Sequence, residues 1–104
     1  MSKNFNNITI TGHLVADAEL KEKETFKVCN FRVAVNRDND VTDFFSVKVW
    51  NKYAETLYPY LKKGKYVLVN GEIHVDEVTE NESRRWFTSI NADTVNFLSS
   101  SKEA

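Results

Sequence analysis

Residues 41–50, Val-Thr-Asp-Phe-Phe-Ser-Val-Lys-Val-Trp, combine aromatic rings, a hydroxyl and a cation at alternating positions. Successive side chains of a β-strand point to opposite faces, so this segment divides into two sets. One set is purely apolar and suits a core: Phe45, Val47 and Val49. The other set is Phe44, Ser46, Lys48 and Trp50. Rings that stack on bases and cations that meet phosphates are typical of proteins that bind single-stranded nucleic acid.

Length and composition limit the class of protein. The chain has 104 residues, enough for one domain with one modest core. No apolar run approaches the roughly 20 residues of a membrane helix, and the N-terminus lacks the apolar segment of a signal peptide. Cys29 is the only cysteine, which excludes an intrachain disulfide and a cysteine-based zinc cluster. We therefore expect a cytoplasmic protein with no membrane partner.

The formal net charge of −1 is low for a nucleic-acid-binding protein. Acidic residues cluster at 17–24 and 76–82, however, and many of the basic residues lie elsewhere. Screening restricts electrostatic interactions to about 8–10 Å, so a positive groove can exist on a nearly neutral protein. The total charge weakens the nucleic-acid hypothesis without excluding it.

Alternation of apolar and polar residues predicts five β-strands. They cover residues 5–15, 25–36, 41–50, 65–75 and 84–92. The polar residues 36–40 predict a turn that joins the second and third strands in a hairpin. Residues 16–24 and 76–83 are charged and are predicted to be loops. Gly12 and Gly71 are predicted bends within their strands.

Residues 51–61 break the two-residue period, and their apolar side chains recur at helical spacing. This predicts one short helix that Asn51 caps and that Pro59 ends or kinks near Tyr58. Val95, Phe97 and Leu98 are expected to close the core. Residues 99–104 are expected to form a short disordered C-terminal end after a domain at 1–98.

Five strands with a helix between the third and fourth predict an all-β fold, the five-stranded OB-fold barrel. An OB-fold binds nucleic acid on the face of its second and third strands and on the loops that join strands one to two and four to five. Arg32 and the outward row of residues 41–50 fall on that face. The predicted fold and the predicted chemistry therefore coincide.

Several blocks along residues 4–98 resemble the single-stranded-DNA-binding protein (SSB) family of bacteria and phages. No block is specific alone, but their order and spacing together are, and they cover nearly the whole domain. The matching blocks are Asn7-x-Ile-x-Ile-x-Gly12-x-Leu14, Asn30-Phe31-x-Val33-Ala34-Val35-Asn36-Arg37, Asp43-Phe44-Phe45-x-Val47-x-Val49-Trp50, Lys52-x-Ala54-Glu55, Tyr60-Leu61-Lys62-Lys63-Gly64, Val69-x-Gly71 and Ala92-Asp93-x-Val95-x-Phe97-Leu98.

The resemblance implies an OB-fold that assembles as a homotetramer. It implies binding of single-stranded DNA without sequence preference, in DNA replication, recombination and repair, by a cytoplasmic protein that associates with the nucleoid when bound. Phe44 and Trp50 match base-stacking aromatics of the family. The candidate backbone contacts are Arg32, Lys48, Lys62, Lys63, Arg84 and Arg85. We expect no enzymatic activity and no cofactor.

The chain departs from the family pattern in three places. The hairpin at 37–41 is short and lacks an aromatic, and Val78 stands in an acidic loop where an aromatic is usual. Trp86 or Phe87 is a candidate replacement for these two stacking positions. The long tail with an acidic tip is also absent, so the chain is either a trimmed domain or a short phage, plasmid or competence-type form, and we expect no tail-mediated recruitment of protein partners.

A second class of function stays open at this point. An OB-fold that acts as a protein–protein interaction module, with weak or no DNA binding, also accounts for exposed aromatics, a neutral charge and an acidic loop. Enzyme classes lack support, because the sequence has no Gly-rich phosphate loop, nucleophile elbow or Ser/His/Asp arrangement. His13 and His74 have no partner at metal-ligand spacing.

Overall fold

The structure, a computed structural model, describes residues 4–98. Within them the chain forms β1 (Ile8–Leu14), β2 (Glu19–Glu22), β3 (Lys27–Arg37), β4 (Val41–Trp50), α1 (Asn51–Leu57), β5 (Tyr66–Glu80) and β6 (Ser83–Phe97). The strands form one sheet in the order β1-β5-β6-β4-β3-β2, and an additional pairing of β1 with β3 closes it into a barrel. The predicted all-β barrel with a short helix after the 41–50 strand is confirmed.

The inward rows of the strands meet in one core. Val47 and Val49 on β4 are fully buried, as their alternation predicts, and Phe45 packs against the core from its edge. The other buried members come from every long strand, from α1 and from the segment that follows α1, and include Leu14, Phe31, Val33, Leu57, Leu61, Val67, Val69, Ile90 and Val95. Burying each such side chain stabilises the fold by roughly 1.5–3 kcal/mol. The core therefore holds the outward row of β4 in place.

Two glycines lie where backbones approach each other closely. Gly12 precedes the point at which β1 pairs with β3, and a Cβ there would meet the carbonyl oxygen of Ala34. A Cβ on Gly71 would meet the backbone of Asn91, and the β5–β6 register shifts between Asn70 and Gly71. The irregularity predicted at Gly71 is therefore confirmed, whereas Gly12 is a point of close backbone approach where β1 meets β3.

Two segments that the sequence predicts to be loops contain β-strands in the structure. Residues 19–22 form β2 against β3, a short edge strand in which Leu20 is half-buried between charged neighbours. Residues 76–80 continue β5, and a two-residue turn at Asn81 and Glu82, both with positive φ, leads into β6. The charged residues of both segments had predicted loops. An exposed strand, however, needs only backbone hydrogen-bond partners on a neighbouring strand, and β3 and β6 supply these partners. The β5–β6 hairpin therefore projects as a long two-stranded arm.

The helix prediction is confirmed in position and corrected in detail. Residues 51–57 are α-helical and Tyr58–Tyr60 form a 3-10 turn at Pro59, close to the predicted kink. Asn51 does not cap the helix. It has a positive φ, and its Oδ1 accepts a hydrogen bond of 3.1 Å from the backbone N–H of Lys27. Asn51 thereby ties the end of β4 to the start of β3.

The C-terminal end of the barrel differs in two residues from the prediction, since Leu98 is half-buried and does not join the core. Val95 is buried, but Phe97 is 40% exposed and meets the ring of Tyr60 edge-on, with 6.5 Å between ring centroids. The predicted disordered end at 99–104 lies outside the described residues. Across residues 4–98, none of the helices has the length and apolar character needed to span a membrane.

Cys29 is fully buried on β3, and burial raises the pKa of its thiol from 9.0 to about 11. Because the thiolate is the reactive form, we expect the native protein to resist a chromogenic disulfide reagent at about pH 8 and to react after unfolding in guanidinium. Equal rates of reaction before and after unfolding would contradict this prediction.

The same pKa shift predicts a pH effect on stability. The folded state holds the thiol proton more tightly than the unfolded state, so its contribution is complete below the unfolded pKa of 9.0. That contribution is lost as the pH rises toward about 11. Relative to a Cys29→Ala variant, the native sequence should lose free energy of unfolding over this range, as urea titrations at several pH values would show.

Candidate nucleic-acid interface

The outward row of β4 lies at the centre of one face of the barrel. Phe44 and Trp50 are 52% and 38% exposed, Ser46 is exposed and Lys48 is half-buried. In register, β3 places Arg32 beside Ser46 and Asn30 beside Lys48. The sequence-predicted residues on β3 and β4 are thus brought together on the predicted surface.

A groove of about 490 Å³ runs along this face. Its floor includes Asn30 and Arg32 of β3 and Ser46 and Lys48 of β4, and its wall is the segment between β1 and β2, with β2 itself. The lining residues are Val15, Ala16, Asp17, Glu19, Lys21, Asn30, Phe31, Arg32, Ser46, Val47 and Lys48. The groove is therefore an open trough with cations along its floor and two carboxylates on its wall.

Arg32 links the groove to the first aromatic platform. Its Cζ lies 5.3 Å from the centroid of the Phe44 ring, a cation–π arrangement. The ring of Phe44 stays half exposed in spite of this contact. A base that stacks on Phe44 would therefore find a guanidinium within reach of its phosphate.

Trp50, at the other end of the row, is held by two residues that sequence reasoning missed. Its Nε1 donates a hydrogen bond of 3.1 Å to Oδ1 of Asn91, and its ring packs at 58° against Phe26, with 5.6 Å between centroids. Phe26 had one sequence signal, a lone aromatic in a charged segment. Asn91 had none, because the pairing of β6 with β4 is a long-range contact. The indole is fixed in place while 38% of its surface remains accessible.

Lys62 and Lys63 lie beside the wall of the groove, in the segment that joins the 3-10 turn to β5. The backbone N–H of Lys63 donates a hydrogen bond of 2.8 Å to Oδ1 of Asp17, and the Nζ of Lys62 is 6.0 Å from the Tyr58 ring centroid. Both residues are exposed. Their contact with DNA stays a prediction.

The three candidates at the start of β6 fall on two faces of the hairpin. Arg85 shares the face of Ser89, which pairs in register with Ser46 of β4. Arg84 and Trp86 point to the opposite face, and Nε of Arg84 lies 3.3 Å from a carboxylate oxygen of Glu77. The structure therefore groups Arg85 with the outward row of β4 and separates Arg84 and Trp86 from it.

The arrangement suits an extended polyanion with flat side groups. Phe44 and Trp50 are six residues apart on one strand, or about 20 Å, and cations lie between them. Among residues 4–98, no three His, Cys, Asp or Glu side chains form a group that could hold a metal ion. The chemistry that this face offers is stacking of its rings on flat side groups and neutralisation of phosphates by its cations.

Comparison with known proteins gives one consistent family. The model of the single-strand binding protein family matches residues 5–98. "Single-stranded DNA-binding protein 1" of Clostridium acetobutylicum is 34% identical over 109 residues, which cover 96% of this chain and 99% of that protein.

Two further relatives are longer. The single-stranded DNA-binding protein of Halalkalibacterium halodurans is 38% identical, with 90% of this chain and 61% of that protein covered. That of Treponema pallidum is 33% identical, with 91% and 58% covered. The chain thus spans almost all of the clostridial protein and about three fifths of the other two.

Proposed function

The chain belongs to the single-strand binding protein family, and on that premise we propose that it binds single-stranded DNA along the outer face of β4. Bases stack on Phe44 and Trp50, and the phosphates between them meet Arg32 and Lys48. The binding is independent of sequence, because every base offers a flat face to an aromatic ring. In the cell this binding supports DNA replication, recombination or repair.

One observation carries this proposal. The two exposed rings at the ends of the outward row are each supported from the side, Phe44 by Arg32 and Trp50 by Phe26 and Asn91. Rings that are already held lose little conformational entropy when a base stacks on them. Such support suits a binding platform, and a purely solvated surface has no need of it.

The charge distribution supports the phosphate contacts. Within residues 4–98, neither Arg32 nor Lys48 forms an ion pair, whereas Arg37 and Arg84 each face a carboxylate, Asp43 and Glu77 respectively. The cations of the groove floor are therefore available for phosphates. Lys62, Lys63 and Arg85 are proposed as further contacts at its margins.

We also propose that the protein assembles as a homo-oligomer, as a tetramer. The hairpin face opposite the DNA-binding side carries Ile73, Val75 and Trp86, which are 38%, 59% and 60% exposed. A second copy of the chain would cover this apolar strip. Sedimentation of the free protein tests the assembly independently of DNA.

The remaining hypotheses concern protein partners, catalysis, cofactors and location. The protein-interaction module is not favoured, because the relatives are named as DNA-binding proteins over nearly the whole chain. We propose no catalytic role, no cofactor and a cytoplasmic location at the nucleoid. The absence of tail-mediated recruitment stays a prediction.

The proposal is tested by titrating the protein with labelled oligo-dT, oligo-rU and duplex DNA at two salt concentrations. Oligo-dT should bind more tightly than duplex, whose bases are not available for stacking. For oligo-dT, the logarithm of the binding constant should fall linearly with the logarithm of the salt concentration, with a slope of about −0.7 per phosphate contact. A Lys48→Ala variant should make that slope less steep by about 0.7, which is the contribution of one phosphate contact. Equal affinity for duplex, or no binding at low salt, would contradict the proposal.

A further inference from the structure

We propose that Phe87 and Arg85, on the outer face of β6, form a second binding row that receives the DNA strand beyond Phe44. This inference rests on the proposed function and adds to it the direction in which the strand leaves β4. The strand passes sideways across β6 and does not follow β4 to the end of its own hairpin.

The strand register places Phe87 on the DNA-binding face. β4 and β6 run parallel, with Ser46 beside Ser89 and Lys48 beside Asn91. Paired residues of neighbouring strands point to the same side, and side chains two residues apart share a face. Phe44 precedes Ser46 by two residues and Phe87 precedes Ser89 by two residues. The two rings therefore lie on one face, one pleat beyond the paired serines.

Exposure and strand divergence leave room for a strand between these rings. Phe44 and Phe87 are 52% and 50% exposed. The pairing of β4 with β6 covers only residues 46–48 and 89–91, so the two strands separate on the side where the rings lie. A single strand stacked on Phe44 thus has a second ring next to it across an open gap.

Arg85 provides the matching cation. It lies two residues before Phe87 and shares its face, opposite Val78 of β5. Across residues 4–98 Arg85 has no ion pair, whereas Arg84, on the other face, is paired with Glu77. The free guanidinium is therefore the one beside the ring, which repeats the combination of Arg32 and Phe44 on the neighbouring strands.

Charge on the hairpin limits the path to its base. Asp76 is the register partner of Phe87 on the outer face, and Glu80 and Glu82 lie farther along the arm near its turn, with the positive side chain of Arg85 among them. Carboxylates repel phosphates, so a strand gains nothing by continuing toward the turn. The second row is accordingly short and consists of one ring and one cation.

The first test uses tryptophan at two adjacent positions as a reporter. In a Trp50→Phe variant the only indole is Trp86, on the opposite face. In a Trp50→Phe, Trp86→Phe, Phe87→Trp variant the only indole is at position 87, and both proteins keep a ring at position 50. Saturating oligo-dT should quench emission of the second variant strongly and leave that of the first nearly unchanged.

The second test measures affinity with labelled oligo-dT. Phe87→Ala should weaken binding about 10-fold or more, and Phe87→Tyr should retain it, because stacking needs the ring. Arg85→Ala should weaken binding, whereas Arg84→Ala should stay within about twofold of the original, since Arg84 faces away and is already paired. Thermal unfolding of each variant shows that the fold is intact.

The outcomes separate this inference from the function on which it rests. If oligo-dT binds the protein normally but neither quenches the indole at position 87 nor loses affinity in Phe87→Ala, the second row is wrong and the proposed function stands. If Trp86 is quenched instead, the strand follows the other face of the hairpin. If no oligonucleotide binds the original protein, the proposed function itself fails.

Discussion

A Phe44→Ala, Trp50→Ala double variant is expected to lose most of its affinity for single-stranded DNA. Stacking contributes roughly 1–3 kcal/mol per base, so removal of two platforms should cost about 2–6 kcal/mol of binding free energy. Phe44 also holds Arg32 by a contact of 5.3 Å, and its loss frees that guanidinium from its position. Fluorescence anisotropy of labelled oligo-dT measures the change.

The matched control for this variant is Tyr60→Ala. Tyr60 is an exposed aromatic, at 62%, but it lies on the 3-10 turn after α1, against Phe97. Its removal deletes a similar exposed ring outside the proposed site, so the affinity should barely change. A double variant that binds as tightly as the original protein, with an unaltered fold by circular dichroism, would place the site elsewhere.

Gly12→Ala is expected to destabilise the barrel by roughly 1–3 kcal/mol or more, the usual cost of overpacking a well-packed site. The added methyl would collide with the carbonyl oxygen of Ala34 and a methyl of Val33. These atoms belong to the stretch of β3 that pairs with His13 and Leu14 and closes the barrel. A backbone carbonyl in a strand ladder cannot move aside without breaking its pairing.

Gly64→Ala is the control for this prediction. Gly64 has a positive φ of 90° and no atom within 4 Å of a built Cβ, so alanine there meets backbone strain but no collision. Such strain costs roughly 1–2 kcal/mol. Urea unfolding of the two variants compares them directly. If Gly12→Ala proved as stable as the original protein, the tight crossing of β1 and β3 would be disproved.

Much of the fold could be predicted because the inward rows alternate so regularly. Val47 and Val49 predicted a buried face on β4, and the helical spacing of Ala54 and Leu57 predicted α1. The predictions failed where charge was taken as a sign of a loop. Glu19–Glu22 forms a strand because β3 offers it a free edge, and a local pattern cannot show that edge.

The candidate site was predictable along a strand and not between strands. The alternation of residues 41–50 placed Phe44 and Trp50 on one face, and the structure agrees. By contrast, Trp50 is supported by Asn91, which lies 41 positions away in the sequence and is brought near by the parallel pairing of β4 with β6. For the same reason the sequence alone offered no choice between Trp86 and Phe87 as the ring on the DNA-binding face.

The most direct test of the central claim uses Trp50 as its own reporter. A Trp86→Phe variant keeps Trp50 as the only indole in the chain. Titration of this variant with oligo-dT should quench its emission in step with binding measured by anisotropy of a labelled strand, because a base stacks on the ring. Full binding with an unchanged emission spectrum would show that the strand does not reach the outward face of β4.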